Sequence, residues 1–182
     1  MSREKLTDKE LEAKERVCLA LDNIDSVSEA IELIEEVGPY VGSVKIGKEL
    51  SIIAGNEGEN IIQRVRGRGV DSFLDLKFHD TPNTVYRASM ASAVPGVRMF
   101  NLHVAGGKEM CEKAMEGAYE GAQKLGINRP KVIGVTVLTS LDDNDLVALG
   151  GSLGIDYHIR KRAGLAKQWG LDGIVCPASK AG

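Results

Sequence analysis

The sequence predicts an α/β protein, a (β/α)8 TIM barrel of which about six β/α units are present in this chain. Three observations lead there. Short apolar, β-branched runs alternate with amphipathic stretches of helical spacing. The runs are continuously apolar, which marks parallel strands buried on both faces. Polar or charged residues close most of the runs on their C-terminal side: Asp22, Lys45, Asp75 with Lys77, His103, and Thr139 with Ser140. Functional groups spread over many strand ends describe the catalytic face of a barrel, whereas an open sheet gathers its site at one switch point. No G-x-G-x-x-G follows the first run, which argues against a dinucleotide fold.

The elements follow in order. A charged N-terminal helix over Lys5–Glu15 is expected to cover the bottom of the barrel. Strands are predicted at Val17–Leu21, Val41–Ile46, Val70–Leu76, Val97–Val104, Val132–Leu138 and Gly173–Cys176. Between the first two, Ser26 with Glu29 three residues on has the pattern of a capping box. The helix it opens carries Val27, Ala30, Ile31, Leu33 and Ile34 with helical spacing and stops at Gly38-Pro39. Later helices are predicted over Thr81–Ala93, Gly107–Leu125 and Asp156–Trp169, the last two closed by Gly126 and Gly170. Six strands in 182 residues fall short of the roughly 250 residues of a complete barrel. The expectation is therefore a single domain over residues 1–182 that is C-terminally incomplete, with strands seven and eight missing. Such a sheet has two open edges, an aggregation liability.

Composition narrows the function classes. The chain is 43% hydrophobic and 27% charged, with a formal net charge of −3. Neither nucleic acid nor an anionic membrane is indicated as a partner. No apolar run approaches the ~18 residues of a membrane span, and the charged N-terminus does not resemble a secretory signal. A cytoplasmic protein is expected. Cys18, Cys111 and Cys176 are far apart and odd in number, unlike a disulfide framework or structural zinc site. Cys18 and Cys176, in apolar runs, read as small buried hydrophobes. The basic clusters Arg64/Arg66/Arg68 and Arg160/Lys161/Arg162 read as solvated helix ends, and His158 as a solvated helical residue.

The chemistry concentrates at Asp75-Leu76-Lys77-Phe78-His79-Asp80. Alternate strand residues share a face, so Asp75 and Lys77 are expected to point the same way, into the barrel mouth. Asp80 starts the turn before Thr81-Pro82, a helix entry. Two carboxylates flanking an ammonium are costly to bury unless they pair with it, and they stabilise it as a cation. A fixed ammonium beside a fixed carboxylate can deliver a proton to a developing carbanion. Lys45 adds a second cation able to pair with Asp75 or Asp80. A structural salt-bridge network at the rim is the competing reading; Asp22 and Lys45 at neighbouring strand ends favour function.

Asp75 through Val85, DLKFHDTPNTV, resembles the signature of orotidine 5′-monophosphate decarboxylase. Leu19–Asp22, Val44–Gly47, Asn101–His103 with Gly106-Gly107, and Val135–Ser140 are similar to the family's further motifs in order and spacing, and Gly173–Cys176 resembles its sixth strand. The resemblance covers nearly all of the chain after the first fifteen residues. It implies decarboxylation of orotidine 5′-monophosphate to UMP, in pyrimidine biosynthesis, without metal or organic cofactor. By motif match, Lys77 would protonate the C6 carbanion and Asp75 would sit near the departing carboxylate. Lys45 and Asp80 would complete the charged network. Asp22 and Lys45 would contact the ribose hydroxyls, and Thr139 and Ser140 the pyrimidine. Family members are homodimers with shared sites, so Asp80 and Thr84 would reach into the partner's pocket. The family grips the phosphate with residues from strands seven and eight, which these residues do not include, so the isolated chain is expected to be weakly active.

Two alternatives stay open at this point. Magnesium-dependent hexulose-phosphate synthases and keto-gulonate-phosphate decarboxylases resemble the chain in D-x-K-x-x-D, but Thr81-Pro82-Asn83-Thr84 departs from their motif. A non-catalytic fragment of the barrel is the other. Gly106-Gly107 before a helix reads as an anion site at the helix N-terminus or equally as a tight turn, His103 as a rim residue with contact to the site as the alternative, and Gly150–Gly154 as a flexible loop.

Overall fold

The structure, a computed structural model, describes residues 7–180. The chain divides into two compact units, Met1–Leu76 with Pro95–Arg98, and Lys77–Val94 with Met99–Gly182.

In the first unit, α1 (Asp8–Glu15) opens on a full capping box between Thr7 and Glu10 and buries no side chain. Lys5 and Leu6 of the predicted helix lie outside the described residues. The C-terminal end of α1 is held tightly. A Cβ on Gly42 would sit 2.7 Å from the Glu15 Cα, so only glycine admits this approach. β1 (Cys18–Leu21), β2 (Ser43–Gly47) and β3 (Asp71–Phe78, whose last two residues belong to the second unit) pair in parallel, with Leu21 opposite Ile46 and Gly47 opposite Asp75. Between β1 and β2 runs α2 (Val27–Val37), which buries Val27, Ala30, Ile31 and Ile34 at i, i+3, i+4 and i+7 spacing. Ser26 accepts the Glu29 N–H as expected, but Glu29 accepts from Asp25 instead of closing the box on Ser26. After Val37 the chain tightens into a 3₁₀ turn over Gly38–Tyr40. Two helices link β2 to β3, α3 (Lys48–Asn56) and α4 (Ile61–Arg66); the sequence pattern gave no helix at α3 and only a helix end at Arg64–Arg68.

The second unit holds α5 (Pro82–Ser92), most of β4 (Val97–His103), α6 (Lys108–Leu125), β5 (Lys131–Val135), α7 (Asp143–Ala148), α8 (Ile155–Gln168) and β6 (Gly173–Val175). Arg98, at the start of β4 and in the first unit, pairs with Glu15 at 2.7 Å. β4, β5 and β6 pair in parallel, with Leu102 opposite Gly134 and Val135 opposite Val175. α5 and α6 approach backbone to backbone at Gly117 and Gly121. A Cβ there would fall 2.2 Å from the Tyr86 carbonyl oxygen and 2.5 Å from that of Met90. Gly126 ends α6 in the left-handed conformation, φ 62°.

The strand order is β1-β2-β3-β4-β5-β6, identical to chain order. Every crossover therefore advances by one strand in the same direction, as in a β/α barrel; a doubly wound sheet reverses at its switch point.

Several local expectations are corrected. β5 stops at Val135, not Leu138, leaving Thr139 and Ser140 in a turn, and β3 runs on to Phe78. Cys18 is exposed on β1 and Cys176 half-buried, while Cys111 is the buried thiol, pushed up to about 11 by that burial. His158 is not solvated: its Nε2 is buried without a hydrogen-bond partner, and its ring meets Tyr157 edge-on. Arg162 is no helix-end cation either. It donates to the Thr136 carbonyl at 2.7 Å, and burial lowers its pKa.

Candidate active site

The first charged cluster grows from the C-terminal ends of β1, β2 and β3. Asp22 stands one residue beyond β1, and Asn23 follows it at φ 57°, a left-handed turn that asparagine tolerates well. The Asn23 N–H donates to Glu49 on α3, which pins the turn. Lys45, in β2, donates to Asp22 Oδ1 at 2.7 Å and pairs with Asp75 Oδ2 at 3.1 Å. The three side chains differ in depth: Asp75 is 10% exposed, Lys45 21% and Asp22 54%. Burial works to lower the Lys45 pKa, but the hydrogen bonds and charges of Asp22 and Asp75 outweigh it and hold the ammonium above its ordinary value. The pairing of Lys45 with Asp75 is one of the two partners the sequence allowed.

The second cluster starts two residues further along β3. Lys77 has φ 52°, rare for a residue with a long side chain. Strand alternation assumes extended backbone, so the two-residue period that related Asp75 to Lys77 does not carry through this position. The Lys77 N–H donates to Asn101 Oδ1 at 2.7 Å. Asn101 lies in β4 and is fully buried. Beyond Lys77, Phe78 packs on Phe100 with ring centroids 5.7 Å apart, and His79 on His103 at 5.3 Å. Asp80 accepts the N–H of Thr81 at 2.6 Å, the Thr81 and Thr84 hydroxyls lie 3.0 Å apart, and α5 begins on Pro82. Gly107, at φ 91°, makes the tight turn into α6.

Thr139 and Ser140 are exposed in the turn after β5. Below them the strand end is secured twice. The Thr136 hydroxyl donates to the Val175 carbonyl at 2.9 Å, and Arg162 donates to the Thr136 carbonyl.

The structure thus joins Asp22, Lys45 and Asp75 in one ion-pair network. It places Lys77, Asp80 and Thr84 along the end of β3 and the start of α5. Sequence reasoning assigned no role to Asn101 or Arg162. A buried polar residue inside an apolar strand was the available signal for Asn101; Arg162 gave none beyond its charge. Among the described residues, no group of three or more His, Cys, Asp or Glu is placed to hold a metal ion, and no helix is long and apolar enough to cross a membrane.

The model of the Orotidine 5'-phosphate decarboxylase / HUMPS family matches residues 15–182. The chain belongs to this family. An orotidine 5'-phosphate decarboxylase of Saccharophagus degradans is 42% identical over 165 residues, covering 91% of this chain and 66% of that protein. Among solved structures, an uncharacterized conserved protein from Geobacillus kaustophilus aligns with a TM-score of 0.81 at 39% identity, over 90% of this chain and 74% of that one. The orotidine 5'-phosphate decarboxylase of Lactobacillus acidophilus aligns with a TM-score of 0.78 at 33% identity, over 88% and 70%. The chain spans about two thirds of the length of the curated relatives it matches. Its α/β fold, with about six β/α units of the barrel, is that of these relatives.

Proposed function

We propose that the chain carries the catalytic strand ends of an orotidine 5′-monophosphate decarboxylase, forming UMP in pyrimidine biosynthesis. The observation that carries this reading is the Asp22–Lys45–Asp75 network with Lys77 two residues beyond Asp75 on the same strand, in a chain of this family.

The C6–carboxylate bond breaks heterolytically. Carbon dioxide leaves, and the electron pair stays on C6 as a poorly stabilised vinyl carbanion. Lys77 donates one proton from its ammonium to C6, giving UMP and a neutral amine, which regains a proton from solvent. Asp75, paired with Lys45 at 3.1 Å, sits near the departing carboxylate. Asp22 and Lys45 take the ribose hydroxyls, and Thr139 and Ser140 the pyrimidine. Asp80 completes the charge alternation. Fixed charges organised before the reaction do the stabilising, with no covalent intermediate. In a cytoplasmic homodimer, Asp80 and Thr84 reach into the partner's pocket. The described residues form part of a single barrel domain.

The test is UMP formation from orotidine 5′-monophosphate in excess chelator, with Lys77→Ala in parallel. Turnover that survives chelation and is lost in Lys77→Ala supports the reading. A strict requirement for magnesium, with hexulose-phosphate chemistry in place of UMP formation, would overturn it in favour of the family's other branch.

A further inference from the structure

We propose that Asn101 is a positioning residue for the reaction, holding Lys77 in its left-handed backbone conformation so that the ammonium is aimed at C6. This rests on the reading of Lys77 as proton donor. Three observations meet at one point. Lys77 has φ 52°, a conformation that L-residues with long side chains rarely adopt and that persists only where surrounding structure enforces it. Its N–H donates to Asn101 Oδ1 at 2.7 Å. Asn101 is 0% exposed in the middle of β4, between Phe100 and Leu102, both also fully buried.

A buried amide in a strand core is costly unless it bonds, and an apolar residue would fill the same space. The donor at Lys77 is a backbone N–H, so the oxygen end of the Asn101 amide must face it. Asn101 therefore sets one backbone angle at one residue, and that residue carries the proposed proton donor. The neighbouring Phe78–Phe100 contact at 5.7 Å fixes the strands on the next residue pair and leaves the Lys77 turn as a local feature. A rotation of φ at Lys77 swings its side chain by ångströms, and a misplacement of about 1 Å can cost ~100-fold in rate.

The experiment compares Asn101→Ala, Asn101→Asp and Lys77→Ala in the full chain. Asn101→Ala should lower kcat by ~100-fold with KM changed less than about threefold. Its crystal structure should show Lys77 moved to negative φ. Asn101→Asp, which keeps an acceptor oxygen in place, should retain φ near the parental value and recover kcat to within about tenfold of the parent. If Asn101→Ala does not fold, Asn101→Asp decides: parental φ with recovered kcat supports the proposal, and a loss of kcat at parental φ overturns it. Parental kcat in Asn101→Ala, or φ near 52° retained there, also overturns it. Lys77→Ala separates the two claims. If it keeps turnover, the proton-donor reading itself has failed; if it is dead while Asn101→Ala is unimpaired, only the positioning role has.

Discussion

Lys45 bonds two carboxylates, and the shorter bond is predicted to be the weaker one energetically. Asp22 lies at 2.7 Å and Asp75 at 3.1 Å. Distance alone favours Asp22. Burial reverses the order, because Asp22 is 54% exposed and Asp75 10%. At 3.1 Å and an effective dielectric constant of about 20, the Lys45–Asp75 attraction is about 5 kcal/mol before desolvation is subtracted. Breaking a buried pair costs ~3–5 kcal/mol because the remaining charge is stranded. Lys45 keeps some access to water, so the low end applies. The Lys45–Asp22 arm behaves as an exposed pair, contributing at most about 1 kcal/mol. Double-mutant cycles by urea unfolding measure each arm, pairing Lys45→Met with Asp75→Asn and then with Asp22→Asn. The expected coupling is ~2–3 kcal/mol for Asp75 and below ~1 kcal/mol for Asp22. A coupling for Asp22 equal to or above that for Asp75 would refute the reasoning. The pH dependence has a fixed sign. The raised pKa of Lys45 gives stability that is complete below the ordinary lysine value and is lost as pH rises through the folded value.

Two further outcomes are expected. Gly117→Ala should destabilise the protein by ~1–3 kcal/mol in urea unfolding, because the new methyl group meets the Tyr86 carbonyl at 2.2 Å and forces α5 and α6 apart; a change under ~0.5 kcal/mol would show that the helices separate freely. Burial opposes ionisation of Asp172, but its bonds to Arg129 at 2.7 Å and to the Val132 N–H at 2.7 Å prevail and lower its pKa. Its contribution should therefore be present above the ordinary carboxylate range and fade as pH falls through the lowered value, and Asp172→Asn should flatten that part of the acid unfolding curve.

The parallel β/α order was legible because both-face burial writes itself as continuous apolar runs. β1 to β6 all fall within a few residues of those runs. Helices were legible where a cap, an apolar stripe and a glycine agreed, as in α2 and α6. α3 was not, since it follows β2 directly at Gly47 and its Ile52-Ile53 reads equally as strand. α4 and α7 are six residues each, too short for a helical period to show. Residue types and strand ends singled out Asp22, Lys45 and Asp75 as candidates, and these three form one ion-pair network. Sequence pattern could not give the φ of Lys77 or the side-chain acceptor that accompanies it. Both depend on a residue 24 positions away, on the next strand. Cys18 misled for a related reason: an apolar run marks a strand, and the exposure of each residue along it depends on what packs there.

The central claim, that Lys77 exchanges a proton with C6, is tested most directly by incubating the full chain with UMP in heavy water and following loss of the C6 proton signal by NMR. Proton donation run backwards must exchange that hydrogen. The account predicts exchange catalysed by the parent and slowed by about 10²–10⁴-fold in Lys77→Met, with UMP affinity nearly unchanged. Exchange at the parental rate in Lys77→Met would contradict it.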